Sequence, residues 1–216
     1  MNIIDLSLTV DEACMTCGTP WHVKPELARL GKIGEVGRNT SSILLGSHTA
    51  THIDAPLHFF DGAPGIDQLD LNKVCGECTV VDLTQKKQGS VVGLRDVKDI
   101  PVSKRMLFRF DWFKMWKTPE YYKGFPYFSM DAAKYLLENG LRVIALDTPS
   151  PDNGVAIGMV DDSPVHKLFL KNDVTIIEYL ANTDSLEGGK TYRLIALPLK
   201  LKDCDGSPAR VVMMEV

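Results

Sequence analysis

Apolar, β-branched residues gather in short runs at 3–8, 41–45, 79–83, 106–110, 141–147 and 192–199. Runs of this length and composition predict strands, because branched side chains suit a pleated surface buried on at least one face. Between 129 and 140 the period changes. Ala132, Ala133, Leu136 and Leu137 recur at helical spacing, Ser129 stands before them as an N-cap, and Gly140 ends the helix. Asn139-Gly140 then turns the chain back into the run that starts at Leu141. A second helix is predicted from Pro164 to Lys171. Residues 173–179 read as a further strand, with Ile177 and Tyr179 alternating against Glu178. Strands and helices interleave without an internal repeat or a low-complexity linker, which predicts an α/β fold.

Length and charge narrow the picture. A chain of 216 residues can bury a sizeable core, and residues 1–216 are read as one domain. A formal net charge of -4 leaves no basic footprint for nucleic acid. No apolar run reaches membrane-spanning length, and the N-terminus lacks the basic and apolar regions of a secretory signal. The expectation is a cytoplasmic protein whose partner is a small molecule, with no nucleic acid and no membrane. Five cysteines include two Cys-x-x-Cys pairs, Cys14/Cys17 and Cys75/Cys78. The odd total argues against a secreted disulfide scaffold. The pairs also lie much further apart than the ~15–20 residues of a zinc ribbon. A four-cysteine zinc site and a redox pair stand as alternatives to free thiols.

The chemistry concentrates in His48-Thr-Ala-Thr-His52-Ile-Asp54-Ala-Pro-Leu-His58, which holds three of the five histidines and a carboxylate. Imidazole nitrogens and carboxylate oxygens are ligands for zinc, manganese and iron. In an extended segment His52 and Asp54 point to one face, and His48 and His58 extend that face at the same period. Pro56 opposes a helix, and no Glu follows His48, so a zincin-like helix is set aside. Histidines that merely cap and pack are the alternative, but a buried polar cluster needs partners. Elsewhere, Glu178 lies inside an apolar run, where a charge is rarely buried unless paired or bound to metal. The aromatic stretch from Trp112 to Trp116 could line a pocket or fill the core.

The run at 48–58 resembles the signature of the cyclase family of metal-dependent hydrolases, which includes kynurenine formamidase and isatin hydrolase. That signature reads His-x-Gly-Thr-His-x-Asp-Ala-Pro-x-His-Phe. The chain matches it at His48, Thr51, His52, Asp54, Ala55, Pro56, His58 and Phe59. It departs at Ala50, where glycine could serve a positive φ or a close approach. Ile4-Asp5-Leu6-Ser7, the stretch from Val143 to Asp152, Leu197-Pro198-Leu199 and the stretch from Asp205 to Arg210 resemble further family segments.

The resemblance implies a barrel-like mixed β-sheet flanked by helices, of the swivelling β/β/α type. It implies one or two divalent ions, Zn2+ or Mn2+, held by His48, His52, Asp54, His166 and Glu178. It implies water activated on the ion for attack on an amide or formyl carbon, with His58 as the proton shuttle. Whether His58 also touches a metal stays open. Trp21 lies where kynurenine formamidase carries a substrate-contacting Trp, although the flanking motif is absent; the neighbouring His22 has no ligand spacing. The best named activity is arylformamidase, converting N-formylkynurenine to kynurenine and formate. Hydrolysis of another small cyclic amide or lactone is the second reading, and a metal-stabilised binding protein without turnover the third. A homodimer or higher homo-oligomer is also implied.

Overall fold

The unbroken apolar runs have a common cause: their strands are buried on both faces. The computed structural model describes residues 2–154 and 162–216. Its strands are β1 (Ile3–Asp5), β2 (Glu26–Gly31), β3 (Thr40–Leu44), β4 (His52–Asp54), β5 (Cys75–Asp82), β6 (Val91–Val92), β7 (Arg105–Arg109), β8 (Tyr127–Phe128), β9 (Val143–Leu146), β10 (Thr175–Glu178), β11 (Thr191–Pro198) and β12 (Gly206–Glu215). Its helices are α1 (Ile33–Val36), α2 (Leu71–Val74), α3 (Leu94–Val97), α4 (Met130–Glu138) and α5 (Pro164–Lys171). Among the described residues, β4, β12, β11, β5, β7, β9 and β10 pair in that order, and β10 pairs back onto β4. The sheet therefore closes as a seven-stranded mixed barrel, with β1 added on β12. The pairs β5–β7, β7–β9 and β9–β10 are parallel. The expected α/β fold with a barrel-like mixed sheet is what forms.

Alternation along each strand sorts the core into two layers. Val80, Leu107, Val143, Ala145 and Ile177 join Leu194, Ala196, Val211 and Met213 inside the barrel. Their neighbours Val81, Met106, Phe108, Ile144, Leu146 and Ile176 face outward against Ala132, Ala133 and Leu136 of α4 and Val165 and Phe169 of α5. Parallel strands covered on both faces read as continuous hydrophobic runs, which is the pattern seen at 106–110 and 141–147. The predicted helix at Ser129 forms as α4, and the Ser129 side chain accepts from the Ala132 N–H. The predicted 164–171 helix forms with those bounds as α5. The run at 41–45 does form a strand, β3, but outside the barrel. It pairs with β2 in a hairpin whose Leu27, Leu30, Ile43 and Leu44 are exposed, as are Ile33 and Val36 of α1. Among the described residues, no helix is long and apolar enough to cross a membrane.

Asp147, at the end of β9, ties the outer layer together. Its carboxylate accepts from the Phe110 N–H at 3.0 Å and from Thr183 Oγ1 at 2.7 Å, and it is fully buried. Burial raises its pKa, against the pull of the Thr183 and Phe110 hydrogen bonds, to about 7 from 3.8. A carboxyl whose folded pKa is raised stabilises the fold below its unfolded pKa and loses that contribution as pH rises through the folded value. Asp147→Asn should therefore remove part of the loss of stability between pH 4 and pH 7. Urea unfolding of both proteins at several pH values checks this; parallel stability–pH curves would show that Asp147 is ionised in the native state.

Candidate metal centre

Register builds the site. Antiparallel pairing sets Glu178 of β10 opposite His52 of β4, Ile177 opposite Ile53, and Ile176 opposite Asp54. Ile53 and Ile177 fill the barrel, so His52, Asp54 and Glu178 leave on the outer face. His52 Nε2 lies 3.3 Å from Asp54 Oδ1 and 3.4 Å from Glu178 Oε2. His52 Nδ1 donates to the Ala50 carbonyl at 2.7 Å. A carbonyl only accepts, so Nδ1 carries a proton and Nε2 is the nitrogen that faces the carboxylates.

His166 arrives from the outer layer. Asp152 caps α5 by accepting from the Val165 N–H at 2.8 Å and the His166 N–H at 2.9 Å. The same carboxylate takes His166 Nδ1 at 2.7 Å. Nε2 is left to reach Glu178 Oε1 at 3.1 Å and Asp54 Oδ2 at 3.5 Å. Each central carboxylate thus divides its oxygens. Asp54 turns Oδ1 to His48 and His52 and Oδ2 to His166; Glu178 turns Oε2 to His52 and Oε1 to His166.

His48 and His58 correct the expectation of one extended face. Only His52 and Asp54 lie in β4, while His48 stands in a turn and His58 in a 3-10 turn, Pro56–His58. Ala50 reverses the chain with φ 53, in the left-handed region. Pro56, preset for the first helical position, starts the 3-10 turn. Both histidines still reach the site. His48 Nδ1 lies 2.9 Å from Asp54 Oδ1, and its Nε2 lies 2.8 Å from Asp205 Oδ2. His58 Nδ1 lies 3.3 Å from the same Asp205 oxygen, and the two rings are 4.0 Å apart. Gly206 makes this possible, since a Cβ there would stand 2.9 Å from the Ile53 carbonyl and 3.0 Å from His48 Cε1.

The donor set fits a cation. Asp54 Oδ1, Asp54 Oδ2 and Glu178 Oε1 are buried without a hydrogen-bond partner. Imidazole nitrogens come within ion-pair range of these oxygens but are not directed at them as hydrogen-bond donors. Ligand atoms of His52, Asp54 and Glu178 lie within 4.8 Å of one another, and so do those of His48, Asp54 and His58. Burial alone would lower the pKa of His52, but Asp54 and Glu178 outweigh it and push it up to about 10. Burial is likewise outweighed at His166 by Glu178 and Asp152, and at His48 by Asp205 and Asp54, so both are raised. The metal-free cluster therefore gathers positive charge as protons, which a divalent cation displaces when it binds.

A cavity of about 390 Å³ opens over the cluster. Trp21, expected as a substrate contact, lines it and is 68 % exposed. Trp112 is buried and Trp116 packs on Tyr121 and Tyr179, so neither tryptophan of that stretch is a cavity wall. Cys17 Sγ lies 2.7 Å from His22 Nδ1. Burial raises this thiol, but the His22 contact overrides it and brings the pKa down to about 7. Cys78 is buried, which pushes it up to about 12. Among the described residues the cysteines are free and form no cluster of metal-ligand spacing. The sequence reading missed the orienting roles of Asp152 and Asp205 and the clearance at Gly206.

Ala50 yields a direct test. An L-residue in the left-handed region costs about 1–2 kcal/mol, partly offset by the ~0.4–1 kcal/mol by which Ala restricts the unfolded chain relative to Gly. Ala50→Gly should stabilise the protein by about 0.5–1 kcal/mol, raising Tm by roughly 1–4 °C for a chain of this size. A calorimetric Tm at or below that of the parent would contradict the left-handed turn.

Comparison with known proteins agrees with this geometry. The Cyclase family model, described as "Putative cyclase", matches residues 4–153. The kynurenine formamidase of Geobacillus thermodenitrificans (strain NG80-2) is 30% identical over 215 residues, covering 99% of this chain and 97% of that protein. That of Bacillus mycoides (strain KBAB4) is 31% identical over 183 residues, 82% and 81% of the two chains. Isatin hydrolase A from Labrenzia aggregata has the same fold, with a TM-score of 0.88 at 24% identity over 99% of this chain and 93% of its own. A predicted metal-dependent hydrolase from Bacillus stearothermophilus superimposes with a TM-score of 0.79 at 28% identity, over 98% and 97%. With a family model matched from β1 to Asn153 and relatives aligned over nearly its full length, the chain belongs to the Cyclase family.

Proposed function

We propose that the protein is a metal-dependent hydrolase of small aryl formamides, an arylformamidase of the kind that converts N-formylkynurenine to kynurenine and formate. The observation that carries this reading is the set of buried carboxylate oxygens on Asp54 and Glu178, unpartnered and facing imidazoles beneath an open cavity. The names of the relatives, aligned over 82% and 99% of this chain, supply the reaction type.

His48, His52, Asp54 and Glu178 would hold one ion in this reading, and Asp54 and Glu178 with His166 would hold a second. When bound, Zn2+ or Mn2+ supplies Lewis acidity, lowering the pKa of water at the site from 15.7 to about 7. The protein's own residues do the rest. Asp152 and the Ala50 carbonyl fix the tautomers of His166 and His52. Asp205 holds His48 and His58 side by side. His58, in the cavity wall, is placed to hand a proton to the leaving nitrogen. Trp21 and Phe59 offer aromatic surface to an aryl group. The exposed apolar hairpin β2–β3 and α1 supports a homodimer, because an isolated hairpin is marginal in water and gains stability when its apolar face is covered.

Two kinds of variant test the site. His52→Ala and Asp54→Asn should each lose bound metal and turnover together. Elemental analysis showing full metal in an active Asp54→Asn protein would sink the assignment. His58→Ala should keep its metal while turnover falls by about 10²–10⁴-fold. Metal content that falls in step with activity would make His58 a ligand instead. A substrate panel of N-formylkynurenine, formanilide, isatin and simple lactones separates the formamidase reading from hydrolysis of cyclic amides or lactones.

A further inference from the structure

Two tyrosines in the cavity wall have no part in the chemistry above. Tyr179 directly follows Glu178 and has φ 58, a left-handed conformation that a bulky side chain rarely adopts. The surroundings hold it there. Its N–H donates to the Thr148 carbonyl at 3.2 Å, and its own carbonyl accepts from Thr51 Oγ1 at 2.6 Å. Thr51 is also fixed, since Oγ1 accepts from the Leu8 N–H at 2.9 Å. The result of this conformation is a phenol ring 5.3 Å from the ring of His52, in the wall of the cavity. Strain kept at a binding surface points to a role for the side chain it presents.

The hydroxyl protons can be assigned by elimination. Tyr122 OH donates to the Met15 carbonyl at 3.1 Å, and a carbonyl offers no proton in return. The contact between the two phenols, 3.3 Å, therefore has Tyr179 as donor and Tyr122 as acceptor. Both protons are committed to protein. Met15, Tyr122 and Tyr179 all line the continuous cavity that also includes His48 and His58. Tyr179 is left with acceptor capacity only. Among the described residues, the cavity lining contains no Lys or Arg.

We propose that the Tyr179 phenol oxygen is a specificity-determining acceptor that recognises the N–H of a neutral aryl amine or secondary aryl amide. The inference rests on the hydrolase reading for its substrate class and deepens it. An aryl formamide and the aryl amine it releases both carry such an N–H; an ester, a lactone or an N-dialkylated analogue does not.

The test reads binding, with the zinc-loaded full-length protein and two probes that do not react. Calorimetry would compare 2-aminoacetophenone with its N,N-dimethyl analogue. The wild-type protein should prefer the free amine by about threefold to tenfold, the effect of one hydrogen bond. Tyr179→Phe should shrink that preference to within about twofold at an unchanged Tm. Tyr122→Phe keeps Tyr179 but frees its proton to turn into the cavity, so it should weaken the preference as well. It carries the test alone if Tyr179→Phe does not fold. An undiminished preference in a folded variant overturns the proposal. Formanilide turnover, measured alongside, separates the two readings. A preference without turnover leaves the acceptor assignment standing and removes the hydrolase. Turnover in a wild type that shows no preference does the reverse.

Discussion

Two carboxylates in the barrel wall govern the rest of the structure. Asp54 is 2 % exposed and Glu178 4 %. Ionised groups at that depth are costly unless matched by opposite charge. Three imidazoles converge on them, and each is pinned from behind by an acceptor: the Ala50 carbonyl for His52, Asp152 for His166, Asp205 for His48. An outer acceptor fixes the tautomer and leaves the inner nitrogen's lone pair pointing at the carboxylates. Lone pairs facing anionic oxygens repel, so the arrangement persists with protons or a cation between them. A layered set of acid, imidazole and acid is thus a device for holding positive charge at one point.

The same residues close the barrel. β4 is only three residues long, yet it bridges β10 and β12. Its middle residue, Ile53, enters the core, and its flanking residues carry the site. The site and the seam are therefore one object. The charges that must be balanced therefore sit on the strand that closes the sheet, and a cation held there would act on both. Ligands that bind only the folded state stabilise it by mass action, which couples metal affinity to closure of the sheet.

How much of this could be read beforehand depends on how local the cause is. His52 and Asp54 were legible because period-2 spacing is a property of the strand itself. The barrel strands were legible because burial on both faces leaves an unbroken apolar run, as in Val143–Leu146. His48 and His58 were read into the cluster from an extended geometry that they do not have. The left-handed turn at Ala50 and the 3-10 turn after Pro56 are tertiary choices that spacing does not encode. Asp205 lies 157 positions from His48 in the chain, and an acid in a polar loop reads as solvated. Asp152 was quoted for kinship alone, since its capping of α5 spans residues no periodicity connects. The alternation that made Tyr179 a strand residue stopped one position too late: β10 ends at Glu178, and the chain reverses its hand at Tyr179.

That reversal bears on how a common site becomes a particular enzyme. The ligands are set by register and by charge matching, and substituting them removes the site. The cavity wall is under a looser constraint, because the side-chain hydrogen bonds of Tyr122, Tyr179 and the Cys17–His22 pair go to one another or to uncharged groups. A fold and a metal site can serve several reactions, and the wall decides among them. Here the wall carries phenols whose protons are spent inward, aromatic surface at the mouth, and no lysine or arginine among its described residues. Such a surface favours a flat, neutral ligand that brings its own N–H. Selection on substrate would then act on conformational strain at Tyr179 and on the hydroxyl of Tyr122, neither of which belongs to the histidine–carboxylate cluster. Change in specificity and retention of the metal centre are separable in this architecture because different forces hold the two in place.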